Sequence, residues 1–291
     1  MREGSQINRS KGGQDLGCLR VRPQPTPKNG AADAATFGCS FSHMTRISKT
    51  LLLVVCTFVG AVFIAACSSD RSLSAGHSPD EQQPTRPAER VHFPTQDGGL
   101  IYGDLYGVGD RGVVLAHGGR FNKESWAKQA QELAKAGFRV LAIDFRGYGQ
   151  SRGRGQEDIF TAPLHLDVLA GVHYLRDRGA KTVFAIGGSL GGGAAANAAI
   201  AEPGQIDRLV LLGATPEGPP EKLKIRKLYI MTRDDTSGAG PRLPGLRAHF
   251  EKAPDPKELI VIEGSAHAQF IFGTDQGERV MLEILRFLSA P

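Results

Sequence analysis

No cysteine follows Cys67; the four in the chain are Cys18, Cys39, Cys56 and Cys67. The rest of the chain can therefore hold neither a disulfide nor a cysteine-based metal site. Aromatic residues are sparse, at 7% with a single Trp. Lys and Arg are scattered, although the net charge is +5. With no basic stripe and no interleaved aromatics, nucleic acid is not an expected partner. The small positive excess reads as solvated surface. No internal repeat is present, which excludes solenoids and propellers.

What remains is ordinary for a globular chain of 291 residues: 41% hydrophobic and 22% charged. A core can be buried at this size. The front of the chain has a different character. Residues 51–66 read LLLVVCTFVGAVFIAA, preceded by Arg46 and Lys49. A positive flank, an apolar run and small residues describe an export signal. The run is shorter than the ~20 residues that span a bilayer comfortably. Its end, Ile64-Ala65-Ala66-Cys67, resembles a bacterial lipobox. That resemblance implies cleavage before Cys67 and lipidation of Cys67, with the protein exported and held to a cell-envelope membrane by acyl chains. Each buried methylene adds about 0.8 kcal/mol to such anchoring.

The expected organisation is then fourfold. Residues 1–43 are an artefact of start-site assignment or a disordered segment, since Met44 opens a well-proportioned signal. Residues 44–66 are the signal peptide. Residues 67–88, rich in Ser, Pro and acidic side chains, are a disordered tether. Residues 89–291 are the globular domain.

In that domain Val91–Pro94 and Leu100–Tyr106 read as strands joined by an Asp97-Gly98-Gly99 turn. Short apolar strands follow at 112–116, 139–143, 182–186, 209–212, 228–231 and 259–262. Helical patterns fall at 125–136, 158–178, 190–201, 243–253 and 276–289. Alternation of this kind predicts an α/β fold, a mostly parallel twisted sheet with helices on both faces.

The strand TVFAI runs into Gly187-Gly188-Ser189-Leu190-Gly191, a G-x-S-x-G between strand and helix. That context puts a serine on a tight, strained turn with its Oγ exposed at the carboxyl end of the sheet. It also aims the Leu190 amide, at a helix start, toward a bound carbonyl oxygen. A rival reading, Gly191-x-Gly193-x-x-Ala196 as a dinucleotide site, puts its glycines inside the helix rather than at the strand exit.

Two more segments extend the pattern. Ala116-His117-Gly118-Gly119-Arg120 follows a strand, and Asp144-Phe145-Arg146-Gly147-Tyr148-Gly149-Gln150-Ser151 follows the next. With the elbow, these resemble the α/β-hydrolase family over about residues 90–290. The first is similar to its HG-type oxyanion motif and the second to its D-x-R-G-x-G-x-S loop. The resemblance implies the α/β-hydrolase fold, Ser189 as nucleophile, and backbone N–H groups of Gly119 and Leu190 as the oxyanion hole. His117, Asp144 and Arg146 are then loop-holding residues, and Arg120 either faces an anionic group or is solvated.

A serine needs a base and the base an orienting acid, in the order Ser, acid, His in this fold. Only His249 and His267 follow Ser189. His267 lies just beyond a strand and is the expected base, whereas His249 reads as a half-exposed helix residue. Asp235 is the expected acid and Asp234 the alternative, because Thr232 stands where the family often has glycine. Glu217 is a distant third. The stretch from Ser189 to Asp235 leaves no room for a large cap domain.

The function this implies is esterase-like hydrolysis of small-molecule carboxylic esters through Ser189, Asp235 and His267, with no metal or organic cofactor. Alternatives are a thioesterase, peptidase or acyltransferase with the same residues, or a non-catalytic binding module on the same fold.

Overall fold

The computed structural model describes residues 88–290, Glu217 excepted. The apolar run at 51–66 and Cys67 lie outside the described residues, as does Glu217. Among the described residues no helix is long and apolar enough to cross a membrane.

Among the described residues ten strands and five α-helices occur in the order β1 (Glu89–Pro94), β2 (Leu100–Tyr106), β3 (Arg111–Ala116), α1 (Ala127–Lys135), β4 (Arg139–Ile143), α2 (Leu164–Asp177), β5 (Thr182–Gly188), α3 (Leu190–Ala201), β6 (Arg208–Leu212), β7 (Arg226–Thr232), β8 (Thr236–Ser237), β9 (Gly240–Pro241), α4 (Leu243–Lys252), β10 (Lys257–Ile262) and α5 (Gly277–Ser289). Eight strands form one sheet in the order β1-β2-β4-β3-β5-β6-β7-β10. The β1–β2 and β2–β4 pairs are antiparallel. Every other pair in that sheet is parallel. The expected α/β-hydrolase architecture is the one observed.

The strands are buried on both faces, so their side chains alternate between two cores. In β3, Val114 and Ala116 point into one, beside Val168, Leu175 and Ala195 of α2 and α3. Val113 and Leu115 point into the other, beside Trp126, Leu133, Val280 and Phe287. Helices α2, α3 and α4 thus cover one face, and α1 and α5 the other. Among the described residues between β6 and β7 the chain makes only a short 3-10 turn at Pro220–Lys222, with no cap inserted.

Helix α2 starts at Leu164, later than the expected residue 158. The Asp158 carboxylate accepts the Phe160 N–H at 3.0 Å, which closes a turn two residues on. Pro163 at the N-cap then disfavours helical backbone in the residue before it. His249 is also not half-exposed: it is 7% accessible, with its ring 5.8 Å from that of Tyr229. It stands on the inner side of α4, where helical spacing alone left its direction open.

Candidate active site at the carboxyl edge of the sheet

Strands β3, β5, β7 and β10 run parallel and end on one edge of the sheet. The loops that leave them carry His117–Gly119, Ser189, Asp235 and His267 respectively. Ligand sites of open parallel sheets gather on this edge.

Ser189 has φ 49° and ψ −113°, a left-handed conformation unusual for a residue with a Cβ. The turn closes because its neighbours are glycines. A Cβ on Gly187 would lie 2.4 Å from the Gly191 carbonyl oxygen, and one on Gly191 would lie 2.3 Å from the Ala116 carbonyl oxygen. The strand, the helix and β3 approach too closely for any side chain there. Gly191 and Gly193 both lie inside α3, so the dinucleotide reading has no glycine-rich loop to rest on.

The Ser189 Oγ is 2.8 Å from His267 Nε2. His267 Nδ1 is 2.7 Å from Asp235 Oδ2. The three side chains form one hydrogen-bonded row in which Asp235 is 1% exposed and His267 25%. Imidazole Nδ1–H donates to the carboxylate, which leaves Nε2 to accept the serine proton. A hydroxyl bonded to an imidazole backed by a buried carboxylate is able to lose its proton to the ring as it attacks a carbonyl. Asp234, the alternative acid, is exposed and points away; its N–H donates to the Gly264 carbonyl at 2.9 Å.

Three residues to which the sequence assigned no role hold this row. Thr232 stands where glycine was expected, is 2% exposed, and donates its hydroxyl to the Ala266 carbonyl at 3.0 Å, which ties the end of β7 to the His267 loop. Arg242 returns to Asp235 after the β8–β9 hairpin. Its N–H donates to the Asp235 carbonyl at 2.8 Å, and its Nε stands 3.4 Å from Oδ1. Gln269, two residues past the histidine, bonds to the β3 loop. None of these has a local signature, because each contact joins segments distant in the chain.

The β3 loop is fixed by its own polar groups. His117 is fully buried, and burial pushes its imidazole below the usual range. The neutral ring donates Nδ1–H to the Gly118 carbonyl at 2.9 Å and accepts the Phe145 N–H at Nε2. The Gly118 carbonyl also accepts the Phe121 N–H at 2.9 Å. The Gly119 carbonyl accepts the Tyr148 hydroxyl at 2.7 Å. Among the described residues, the N–H groups of Gly119 and Leu190 have no acceptor. They belong to neighbouring turns: the Leu190 side chain lies 3.5 Å from where a Gly119 Cβ would stand.

Behind this loop Asp144 accepts the Lys123 N–H at 2.8 Å. Arg146 is fully buried, with its guanidinium shared between Asp167 at 2.6 Å and Asp97 at 2.7 Å. These two residues hold the loop after β4. Arg120 is exposed and has no partner among the described residues. Nor do the described residues contain a group of three His, Cys, Asp or Glu side chains able to hold a metal ion.

A sequence profile described as the alpha/beta hydrolase fold matches residues 112–248. This chain has the α/β-hydrolase fold. Solved structures agree: an esterase of Pyrococcus furiosus superposes with a TM-score of 0.60 at 21% identity, over 74% of this chain and 96% of that one. An esterase of Exiguobacterium antarcticum superposes with a TM-score of 0.56 at 18% identity, over 69% and 99%. At these identities the likeness is one of fold. Among curated proteins, a pimeloyl-(acyl-carrier protein) methyl ester esterase of Cronobacter sakazakii is 34% identical over 40% of this chain and 41% of its own length. A 2-hydroxy-6-oxononadienedioate/2-hydroxy-6-oxononatrienedioate hydrolase of Burkholderia vietnamiensis is 31% identical over 45% and 47%. The chain thus spans less than half the length of these two relatives.

Proposed function

We propose that this protein is a serine hydrolase that transfers the acyl group of a carboxylic ester to water. The observation that carries the reading is the unbroken row from Ser189 through His267 to buried Asp235. Ser189 Oγ attacks the ester carbonyl while His267 Nε2 takes its proton. Asp235 holds the ring and stabilises the imidazolium that forms. The tetrahedral oxyanion is met by the N–H groups of Gly119 and Leu190, which have no other acceptor among the described residues. His267 returns the proton to the leaving alkoxide. Water, activated by the same histidine, then releases the acyl group.

Esters stand first for two reasons. The site edge bears apolar groups, with the Phe121 and Phe270 rings 4.7 Å apart and Ile159 3.7 Å from where a Gly119 Cβ would stand. One of the curated relatives is named a methyl ester esterase. Tethering to an envelope membrane through a lipidated Cys67 belongs to the same proposal and rests on the sequence at 51–67.

The test uses the full chain, purified in mild detergent, beside Ser189→Ala and His267→Ala. Each is incubated with a tagged fluorophosphonate and with p-nitrophenyl esters of increasing acyl length. Labelling lost in Ser189→Ala, with turnover lost in both variants, is expected. Folded wild-type protein that neither labels nor turns over any ester would overturn the reading and favour a binding module. Turnover of thioesters or amides in preference to esters would move the substrate class and keep the mechanism.

A further inference from the structure

We propose that Gln269 is a positioning residue that decides which amide of the β3 loop receives the oxyanion, and that fixes this amide relative to the base. The inference rests on the serine-hydrolase reading and adds a residue to it.

Gln269 is 6% exposed and both ends of its side chain are engaged. Its Oε1 accepts the Gly118 N–H at 2.6 Å. Its Nε2 donates to the Ser125 Oγ at 2.7 Å. The Ser125 hydroxyl in turn donates to the Asn122 carbonyl at 2.6 Å. These partners leave the amide one orientation: Gly118 N–H can only donate, and the serine proton is already committed. The side chain also fills the space over the elbow, since a Cβ on Gly188 would lie 2.9 Å from its Oε1.

Gly118 and Gly119 both border the elbow: a Cβ on Gly118 would lie 3.4 Å from the Gly188 carbonyl oxygen, and one on Gly119 3.5 Å from the Leu190 side chain. Gln269 consumes the N–H of the first. The peptide joining Gly118 to Gly119 has its carbonyl held by His117 and Phe121. Its N–H, that of Gly119, lies trans to the carbonyl and faces the other way. Tyr148 holds the following carbonyl. With Gln269 in place, the Gly119 N–H is the one polar group of residues 118 and 119 left without a partner among the described residues.

The second effect comes from position in the chain. Gln269 is separated from His267 by Ala268 alone, and Ala268 has φ 49°. That left-handed residue turns the chain so that 267 faces Ser189 and 269 faces Gly118. One short 3-10 segment, Ala268–Gly273, therefore ties the base to the oxyanion loop. Donors aimed in advance at developing charge are worth most when they need not move, and small misplacements cost large factors in rate.

The test compares Gln269→Met with Ser125→Ala in the full chain. Both weaken the same hydrogen-bond network, but only the first frees the Gly118 N–H. For Gln269→Met, kcat on a p-nitrophenyl ester, normalised to sites titrated by fluorophosphonate, should fall about 10- to 100-fold with KM within about twofold. The inhibition constant of an alkylboronic acid, whose serine adduct is tetrahedral, should rise by a similar factor. Ser125→Ala should lower the melting temperature and keep kcat within about threefold of wild type. Gln269→Asn, with a shorter arm, should change kcat in the direction of the Met variant, and it carries the test if Met prevents folding. Unchanged kcat and boronate affinity at residue 269, or equal kcat losses in the 125 and 269 variants, would overturn the inference while a labelling, active wild type left the serine-hydrolase reading standing. A wild type that does not label overturns both.

Discussion

Replacing Gly191 and Gly193 by alanine, one at a time, should move stability in opposite directions although the two lie in one glycine run on one helix. An alanine Cβ at 191 would stand 2.3 Å from the Ala116 carbonyl oxygen and 2.6 Å from that of His117. Neither can yield cheaply, because Ala116 sits at the end of β3, paired with Ile143 on one side and Gly187 on the other. Forcing a methyl group into such packing costs about 1–3 kcal/mol. At 193 the same methyl group meets nothing within 4 Å. There the helix preference of alanine over glycine should add up to about 1 kcal/mol. The two variants should thus differ by about 2–4 kcal/mol. With a urea dependence of about 2 kcal/mol per molar, their midpoints fall about 1–2 M apart. The single Trp126, 1% exposed, supplies the fluorescence signal for equilibrium unfolding. A Gly191→Ala midpoint equal to or above wild type would refute the close approach of α3 to β3. A Gly193→Ala midpoint below wild type would refute the open space assigned to it.

Three further outcomes follow from buried charge. Arg146→Met leaves Asp97 and Asp167 without their shared cation and should destabilise the protein by about 3–5 kcal/mol in the same assay. The Arg146 hydrogen bond holds the Asp97 carboxyl well below the usual carboxylate range. Its contribution is therefore complete above the unfolded value of about 3.9 and lost as pH falls below it, so the gap between wild type and Asp97→Asn should narrow in acid. Lys227 is wholly inaccessible and donates to the carbonyls of Ile225 and Pro254; burial brings its ammonium down to about 8. Between that value and the unfolded one near 10.4 the unfolded chain holds a proton the folded chain lacks. Wild-type stability relative to Lys227→Met should therefore rise with pH from about 8 to 10, and a flat difference in urea midpoints would refute the shift.

The parts legible in the sequence were those set by neighbours along the chain. Apolar runs such as TVFAI and RVLAI are buried strands, and the glycines around Ser189 mark a turn that only they permit. The order of the elements, the site edge and the absence of a cap followed from these local signals. Tertiary structure decided what neighbours along the chain leave open. Asp234 and Asp235 sit side by side in one turn, and only the path of that turn past His267 turns 235 inward and 234 to solvent. His249 is buried because the inner face of α4 rests on Tyr229, a strand residue that helical spacing does not see. Gln269 meets Gly118 across 151 positions of chain. Backbone preference and hydrophobic period act over a few residues and fix the elements. A hydrogen bond across such a separation exists only once the sheet has brought the ends of β3 and β10 to the same edge.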